Sequence, residues 1–267
     1  MLFRSPCIAI TTNILESILA ARQGVKSISV GYAEQGNRSQ DIAAIRVMRE
    51  KTAETLRNLG YANIQVNAIF NQYMAAFPTE HKRAEELVLQ SAVTAAMSKA
   101  TRILVKTPAE AFRIPTVQDN SHAIQLVRQG LHIGDGLMPN KTEVEAESAI
   151  LRQEVDQLLE GVILAGSGSV AKGIVHAFER GLLEVPFAPS VYNRGEVMTA
   201  RDEKGAVRFL SVGKLPFSRE IIEWHRFQLS RRRMSEGQLA EDNGYLLVEK
   251  DIMQLPRGEY RSWPLSA

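Results

Sequence analysis

Cysteine is nearly missing from this sequence: Cys7 stands alone among 267 residues. A single thiol forms no internal disulfide and supports no multi-thiolate metal centre, which excludes a disulfide-stapled scaffold and a zinc ribbon. A reducing cytoplasm is the expected compartment. Long apolar runs are missing too, since no stretch approaches the roughly 20 residues that span a bilayer. The opening Met1-Leu2-Phe3-Arg4-Ser5-Pro6 has a basic residue but neither a sustained apolar core nor a small-residue cleavage site, so secretion is not expected. Charge of one sign is not in excess. The net charge of +2 argues against a general nucleic-acid or lipid-surface role. Arg231-Arg232-Arg233 is a local basic cluster, expected to be a solvated surface because three consecutive helical residues point to different faces. The five histidines, His81, His122, His132, His176 and His225, are scattered, and none pairs at a spacing typical of a zinc site. No metal site is expected. No serine or cysteine sits in a nucleophile elbow and no triad can be read, so catalytic residues are not identified from side-chain motifs.

What is present is ample material for a folded core, with 45% hydrophobic and 23% charged residues. Three successive units read as strand, loop, helix. Ser27 to Tyr32 is the first strand, followed by a polar Glu34-Gln35-Gly36-Asn37 loop and a helix carrying Ile42, Ile45, Met48 and Leu56, ended by Gly60. Ile64 to Phe70 is the second strand; a loop through Tyr73, Met74 and Phe77 leads to a helix from about Glu80 to Ala100. The third strand, Arg102 to Val105, is short and apolar enough to be buried on both faces of a parallel sheet. Thr107 then reads as an N-cap, Pro108 as the first helical residue and Glu110 as the third position of a capping box, with Lys106 left at the strand's C-terminal end. In βα folds ligands sit at that edge. Glu110 also has a purely structural reading, as the cap's partner, and Lys106 has one as a solvated lysine.

This alternation implies an α/β fold with a parallel sheet, either doubly wound or part of a (β/α)₈ barrel. A full barrel needs about 250 residues, and only residues 1–135 show the pattern. Residues 136–267 read as a helical region with short strands: a long helix capped at Asn140, a second one carrying Ile174, Ala177 and Phe178, a third from Ser218 to about Arg233, and strands at Val207 to Val212 and Tyr245 to Val248. Three βα units leave two sheet edges exposed unless something covers them.

Two motifs are weighed and set aside. Gly166-Ser167-Gly168-Ser169-Val170-Ala171 meets a relaxed dinucleotide-binding spacing, but the apolar run before it can equally end a helix, and where an acidic residue should close a second strand Glu184 is followed by Val185-Pro186. A nucleotide-binding module using this loop is the weakest of three readings. His132 lies in a stretch superficially like the Asp-x-His-x-x-Gly signature that supplies a histidine to cobalamin, yet Gly130 and Asp135 stand where aspartate and glycine are required. His132 is treated as structural.

Four segments in one order carry a family resemblance: Gly24 to Tyr32, Gln40 to Arg46, Gln72 to Pro78 and Val105 to Ala111. It continues through Ala177 to Glu179, Val185 to Ser190, Ala200 to Asp202 and Val207 to Leu210. The sequence resembles the C-terminal part of the epsilon (large) subunit of glutamate mutase, also called methylaspartate mutase. The resemblance implies the last three βα units of a TIM-type (β/α)₈ barrel. It also implies an isomerase that, with a small cobalamin-binding partner subunit, interconverts L-glutamate and threo-3-methylaspartate by an adenosylcobalamin-dependent radical rearrangement. Cofactor contacts carry over to Phe77, Lys106, Glu110 and Ile114, with Met74 nearby. Lys106 and Glu110 would hold the adenosyl ribose hydroxyls, and Phe77 and Ile114 would supply apolar walls. Two departures stand out. Arg102 occupies a position where the family usually has a lysine, which keeps the charge but changes its geometry. The family's arginines that grip the substrate carboxylates, and the acidic and tyrosine residues beside them, fall upstream of the matched region. The leading expectation is therefore a truncated or split mutase subunit needing a separate chain for the remaining strands; the alternative is a non-catalytic remnant or an interaction protein of a cobalamin-dependent complex.

Overall fold

Every second residue of Ser27–Ala33 is apolar, and this strand, β1, buries Ile28, Val30 and Tyr32 on one face. The same period in β2 (Gln65–Asn71) buries Ala68 and Phe70, and β3 (Arg102–Leu104) adds a short third strand. The three run parallel in the order β1-β2-β3, with Val30 opposite Ala68 and Phe70 opposite Ile103. This is the α/β arrangement expected from the sequence. The computed structural model describes residues 4–74, 76–237, 244–254 and 257.

Helices α1 (Pro6–Arg22), α2 (Arg38–Asn58) and α3 (His81–Ser98) belong to the first half. In α2 the Asn37 side chain accepts from Gln40 N at 2.9 Å, so the polar loop after β1 ends in a formed N-cap. The third unit departs from expectation. Pro108 opens only one 3₁₀ turn, Pro108–Ala111, and the α-helix, α4 (Val117–Asp135), starts after a new cap at Thr116. The reason lies in Ile114-Pro115: a residue before proline is pushed out of the α region, so no helix begun at Pro108 can run through it. β3 is likewise not buried on both faces. Arg102 and Leu104 are exposed, because nothing among the described residues packs on that side of the sheet.

One hydrophobic core joins these elements to the rest of the chain. It takes Ile8, Ile14 and Ile18 from α1, Ile42, Ile45 and Met48 from α2, and Leu151, Val155 and Leu158 from α5 (Lys141–Ala165). α6 (Val170–Arg180) follows, then a two-stranded antiparallel hairpin of β4 (Val197–Arg201) and β5 (Val207–Val212), then α7 (Arg219–Ser235) and α8 (Tyr245–Gln254). Tyr245 to Val248 is thus helical rather than a strand; a four-residue apolar run does not distinguish the two. Gly166 and Ser169 are the C-cap of α5 and the N-cap of α6. The glycine-rich loop therefore follows a helix, and the dinucleotide turn loses the strand it requires. Gly166 in the loop and Gly173 in α6 serve packing, since a Cβ would lie 2.2 Å from Ser169 O and 2.3 Å from Val162 O respectively, whereas Gly168 supplies a turn at positive φ. Arg232 also corrects the basic-cluster reading: it is fully buried and donates to Asp251 at 2.7 and 2.8 Å. No single helix is long and apolar enough to cross a membrane among the described residues.

The sheet's outer edge is partly covered. Asn13 of α1 turns its amide onto Gly31, accepting from its N–H at 3.0 Å and donating to its carbonyl at 3.1 Å, as a neighbouring strand would. One face remains open, with Ser27, Ser29, Gln65, Arg102 and Leu104 exposed on it. Parallel sheets are ordinarily covered on both faces.

Candidate functional site

The C-terminal ends of β2 and β3 are tied together by one buried side chain. Gln72, 1% exposed, donates from its backbone N–H to Leu104 O at 3.2 Å and from Nε2 to Val88 O at 2.8 Å. Its Oε1 accepts from the N–H of Lys106 at 2.8 Å. Lys106 is thereby fixed at the sheet edge, and its Nζ reaches Glu110 Oε2 at 2.8 Å across the 3₁₀ turn. Glu110 Oε1 also accepts from Thr107 N at 3.4 Å, so the capping role and the lysine contact coexist. Phe77 and Val105 pack on the same apolar group of Val88, Ala92 and Val127, which ties the loop after β2 to the loop after β3. Met74 is half-buried on that loop. Ile114 is 89% exposed and Phe112 is 66% exposed, beyond the 3₁₀ turn. The structure thus brings Lys106 and Glu110 into contact and sets Phe77 beside the strand leading to them, but leaves Ile114 in solvent.

This donor set fits a ribose. A carboxylate offers about four acceptor sites and an ammonium three donors, so the pair retains capacity for a vicinal diol after bonding to itself. Lys106 and Glu110 side chains are 22% and 28% exposed, enough to be reached. Leu104, Phe112 and Ile114, on the segments that flank the pair in sequence, are exposed apolar side chains.

A second polar group lies at the end of β1, where the sequence reading placed only a polar loop. Glu34 and Asp41 are 2% and 0% exposed. Asp41 accepts from Tyr32 OH at 2.8 Å and from the N–H groups of Gln35 and Gly36 at 2.9 Å each. Glu34 accepts from Tyr73 N at 3.2 Å and from Ser91 Oγ, and so anchors the start of the loop that carries Met74 and Phe77. Burial, reinforced by the charge of Asp41, pushes the Glu34 carboxyl up to about 8. Burial also raises Asp41, while its three donors hold the rise back. The β4–β5 hairpin closes over this group: Arg201 donates to Gln35 O, Asn37 donates to Lys204 O at 2.9 Å, and Val207 N donates to Gln40 Oε1 at 2.8 Å. Arg208, buried between Asp202 and Glu147 at 2.7 and 2.8 Å, fixes the hairpin to α5. Gln72, Glu34 and Asp41 were not legible as site residues, because each is defined by partners distant in sequence or hidden within a polar loop.

A sequence model of the methylaspartate mutase E chain (MutE) family matches residues 3–260. The chain belongs to the methylaspartate mutase E chain family. Among its relatives is the glutamate mutase epsilon subunit of Desulfitobacterium hafniense, 39% identical over 254 residues, which covers 95% of this chain and 52% of that protein. The glutamate mutase epsilon subunit of Treponema denticola is 39% identical over 94% of this chain and 53% of its own length. That of Halobacterium salinarum is 35% identical over 95% and 52%. This member of the family spans about half the length of the relatives it matches.

Proposed function

We propose that the chain is part of a mutase E subunit that holds the adenosyl side of a cobalamin-dependent active site, for the interconversion of L-glutamate and threo-3-methylaspartate. The observation that carries this reading is the accessible Lys106–Glu110 pair, 2.8 Å apart at the C-terminal edge of a parallel sheet, in a chain of this family. When bound, adenosylcobalamin supplies the radical chemistry. The chain's own residues bind and orient: Lys106 donates to a ribose hydroxyl, Glu110 accepts from the other, and Phe77, Met74 and Ile114 keep water from the adenosyl group. Gln72 and Glu34 act one step back, by fixing the loops on which those residues sit.

The open face of the sheet supports a further part of the proposal, that three βα units are completed to a (β/α)₈ barrel by strands from a companion chain or segment. Ser29, Gln65, Arg102 and Leu104 would then line the barrel interior and meet the substrate-binding half. A small cobalamin-binding subunit is the third component, and the reducing cytoplasm, where buried Cys7 stays a thiol, is the proposed compartment.

The test is complementation. The chain is combined with the N-terminal half of the Desulfitobacterium hafniense epsilon subunit, a small cobalamin-binding subunit and adenosylcobalamin, and formation of 3-methylaspartate from glutamate is measured. Activity is expected. If the relative's own C-terminal half restores activity in this mixture while the present chain does not, the catalytic reading is overturned in favour of a non-catalytic role.

A further inference from the structure

The histidines that look scattered along the sequence are not all apart in space. His81 opens α3, Glu85 lies one turn later on the same helix, and His122 comes from α4. Glu85 Oε1 is 3.2 Å from His81 Nε2 and 2.5 Å from His122 Nε2, and a ligand atom from each residue lies within 4.8 Å of the other two. The two helices carrying them are held at backbone contact. A Cβ at Gly130 would lie 2.4 Å from Leu89 O, and one at Gly134 would lie 2.6 Å from the Ala96 Cβ, so glycine at both positions lets α4 seat directly on α3. The separation of His122 from the α3 pair is therefore set by packing, not by chance contact of surface chains.

We propose that His81 Nε2, a Glu85 carboxylate oxygen and His122 Nε2 form a binding site for a divalent late first-row cation, with Zn²⁺ as the natural fit and water completing the coordination. Two imidazoles and one carboxylate are a borderline-soft donor set that favours such ions over Mg²⁺ or Ca²⁺. Bonds of about 2.0–2.2 Å at tetrahedral angles put ligand atoms roughly 3.3 Å apart. The His81–Glu85 separation already matches, the Glu85–His122 pair needs to open by less than about 1 Å, and the His81–His122 pair, within 4.8 Å, needs to close by no more than about 1.5 Å. The side chains are 69%, 28% and 46% exposed for His81, Glu85 and His122, so an ion can enter and keep water ligands. The positive ends of two helices lie nearby and oppose a cation; affinity is expected to fall below that of a closed four-ligand zinc site. The consequence is mechanical. α3 follows the loop carrying Met74 and Phe77, and α4 follows the turn carrying Lys106 and Glu110, so a cation bridging the two helix starts would clamp both loops. The site is independent of the mutase reading, since it rests on none of the cofactor contacts.

The experiment is a titration of the untagged 267-residue chain with CoCl₂, read by visible d–d absorption, followed by displacement with ZnCl₂ and by calorimetry with ZnCl₂ alone. One saturable equivalent is expected. His122→Ala and Glu85→Gln should each weaken it by more than the roughly 10–100-fold that loss of an outer-shell partner costs. His132→Ala, which removes another exposed histidine from α4, should leave it unchanged. Circular dichroism of each variant checks that the fold is retained, and the exposed cluster makes Glu85→Gln a conservative second probe should His122→Ala not fold. Failure to saturate, or binding that survives both His122→Ala and Glu85→Gln, overturns the proposal.

Discussion

Two polar groups occupy the same edge of one parallel sheet and are built in opposite ways. At the end of β1, Glu34 and Asp41 are buried, and Asp41 has its donors supplied by neighbouring backbone and by Tyr32. At the end of β3, Lys106 and Glu110 are partly exposed and bond chiefly to each other. The first group costs desolvation and repays it in loop position; the second contributes little to stability, as exposed pairs are worth about 0–1 kcal/mol. The difference teaches which group is scaffold and which is available to a ligand, and it can be broken by substitutions at each.

The largest effect is expected from Asp41→Ala. It leaves the Gln35 and Gly36 N–H groups and the Tyr32 hydroxyl without their acceptor in a buried site, at about 1–3 kcal/mol each before relaxation. Urea unfolding should show a loss of about 3 kcal/mol or more, and a loss below about 1 kcal/mol would dissolve the distinction between the two groups. Gln72→Leu comes next. It strips the Lys106 N–H of its acceptor and the Val88 carbonyl, already bonded within α3, of its second donor, for an expected loss of about 1–3 kcal/mol, and should release Lys106 enough to lower cofactor affinity in the assembled complex; intact affinity would show that Lys106 does not depend on it.

Glu34→Gln probes the closed group through pH. The folded carboxyl titrates above its ordinary value of 4.5, at about 8, so the folded chain holds a proton there that the unfolded chain releases. That stabilisation is complete below about 4.5 and is lost as pH rises through the folded value. Wild-type stability should therefore carry a falling component across this window, in which the raised Asp41 shares at the acid end, and Glu34→Gln should flatten it. An unchanged slope would contradict the buried, protonated Glu34. The smallest effect belongs to Glu110→Gln, expected to change unfolding free energy by less than about 1 kcal/mol; a larger loss would make the open pair scaffold as well.

Much of the fold was legible because its signals are local. Short apolar runs bounded by polar loops marked β1 and β2, a cap at Asn140 marked the start of α5, and the helix read from Ser218 is α7. α1 went unread, since a helix buried nearly all round shows no polar face to set its period. β3 was read as deeply buried from its composition, whereas burial depends on what packs above it. In the site, Lys106 and Glu110 were legible from a strand running into a capping box, and the family resemblance gave them a role. Gln72 was not, because its significance lies in Val88, Leu104 and Lys106, none of them a sequence neighbour. His122 was missed for the same reason: its companions are on another helix.

The central claim is that the open pair is a cofactor contact, and the affinity of the assembled complex for adenosylcobalamin, compared between wild type and Lys106→Met, tests it most directly. A charged hydrogen bond to the ribose predicts weaker binding by about 1.5–3 kcal/mol, with the urea midpoint of the chain unmoved. Equal affinity for the two proteins would return Lys106 to a solvated lysine and contradict the account.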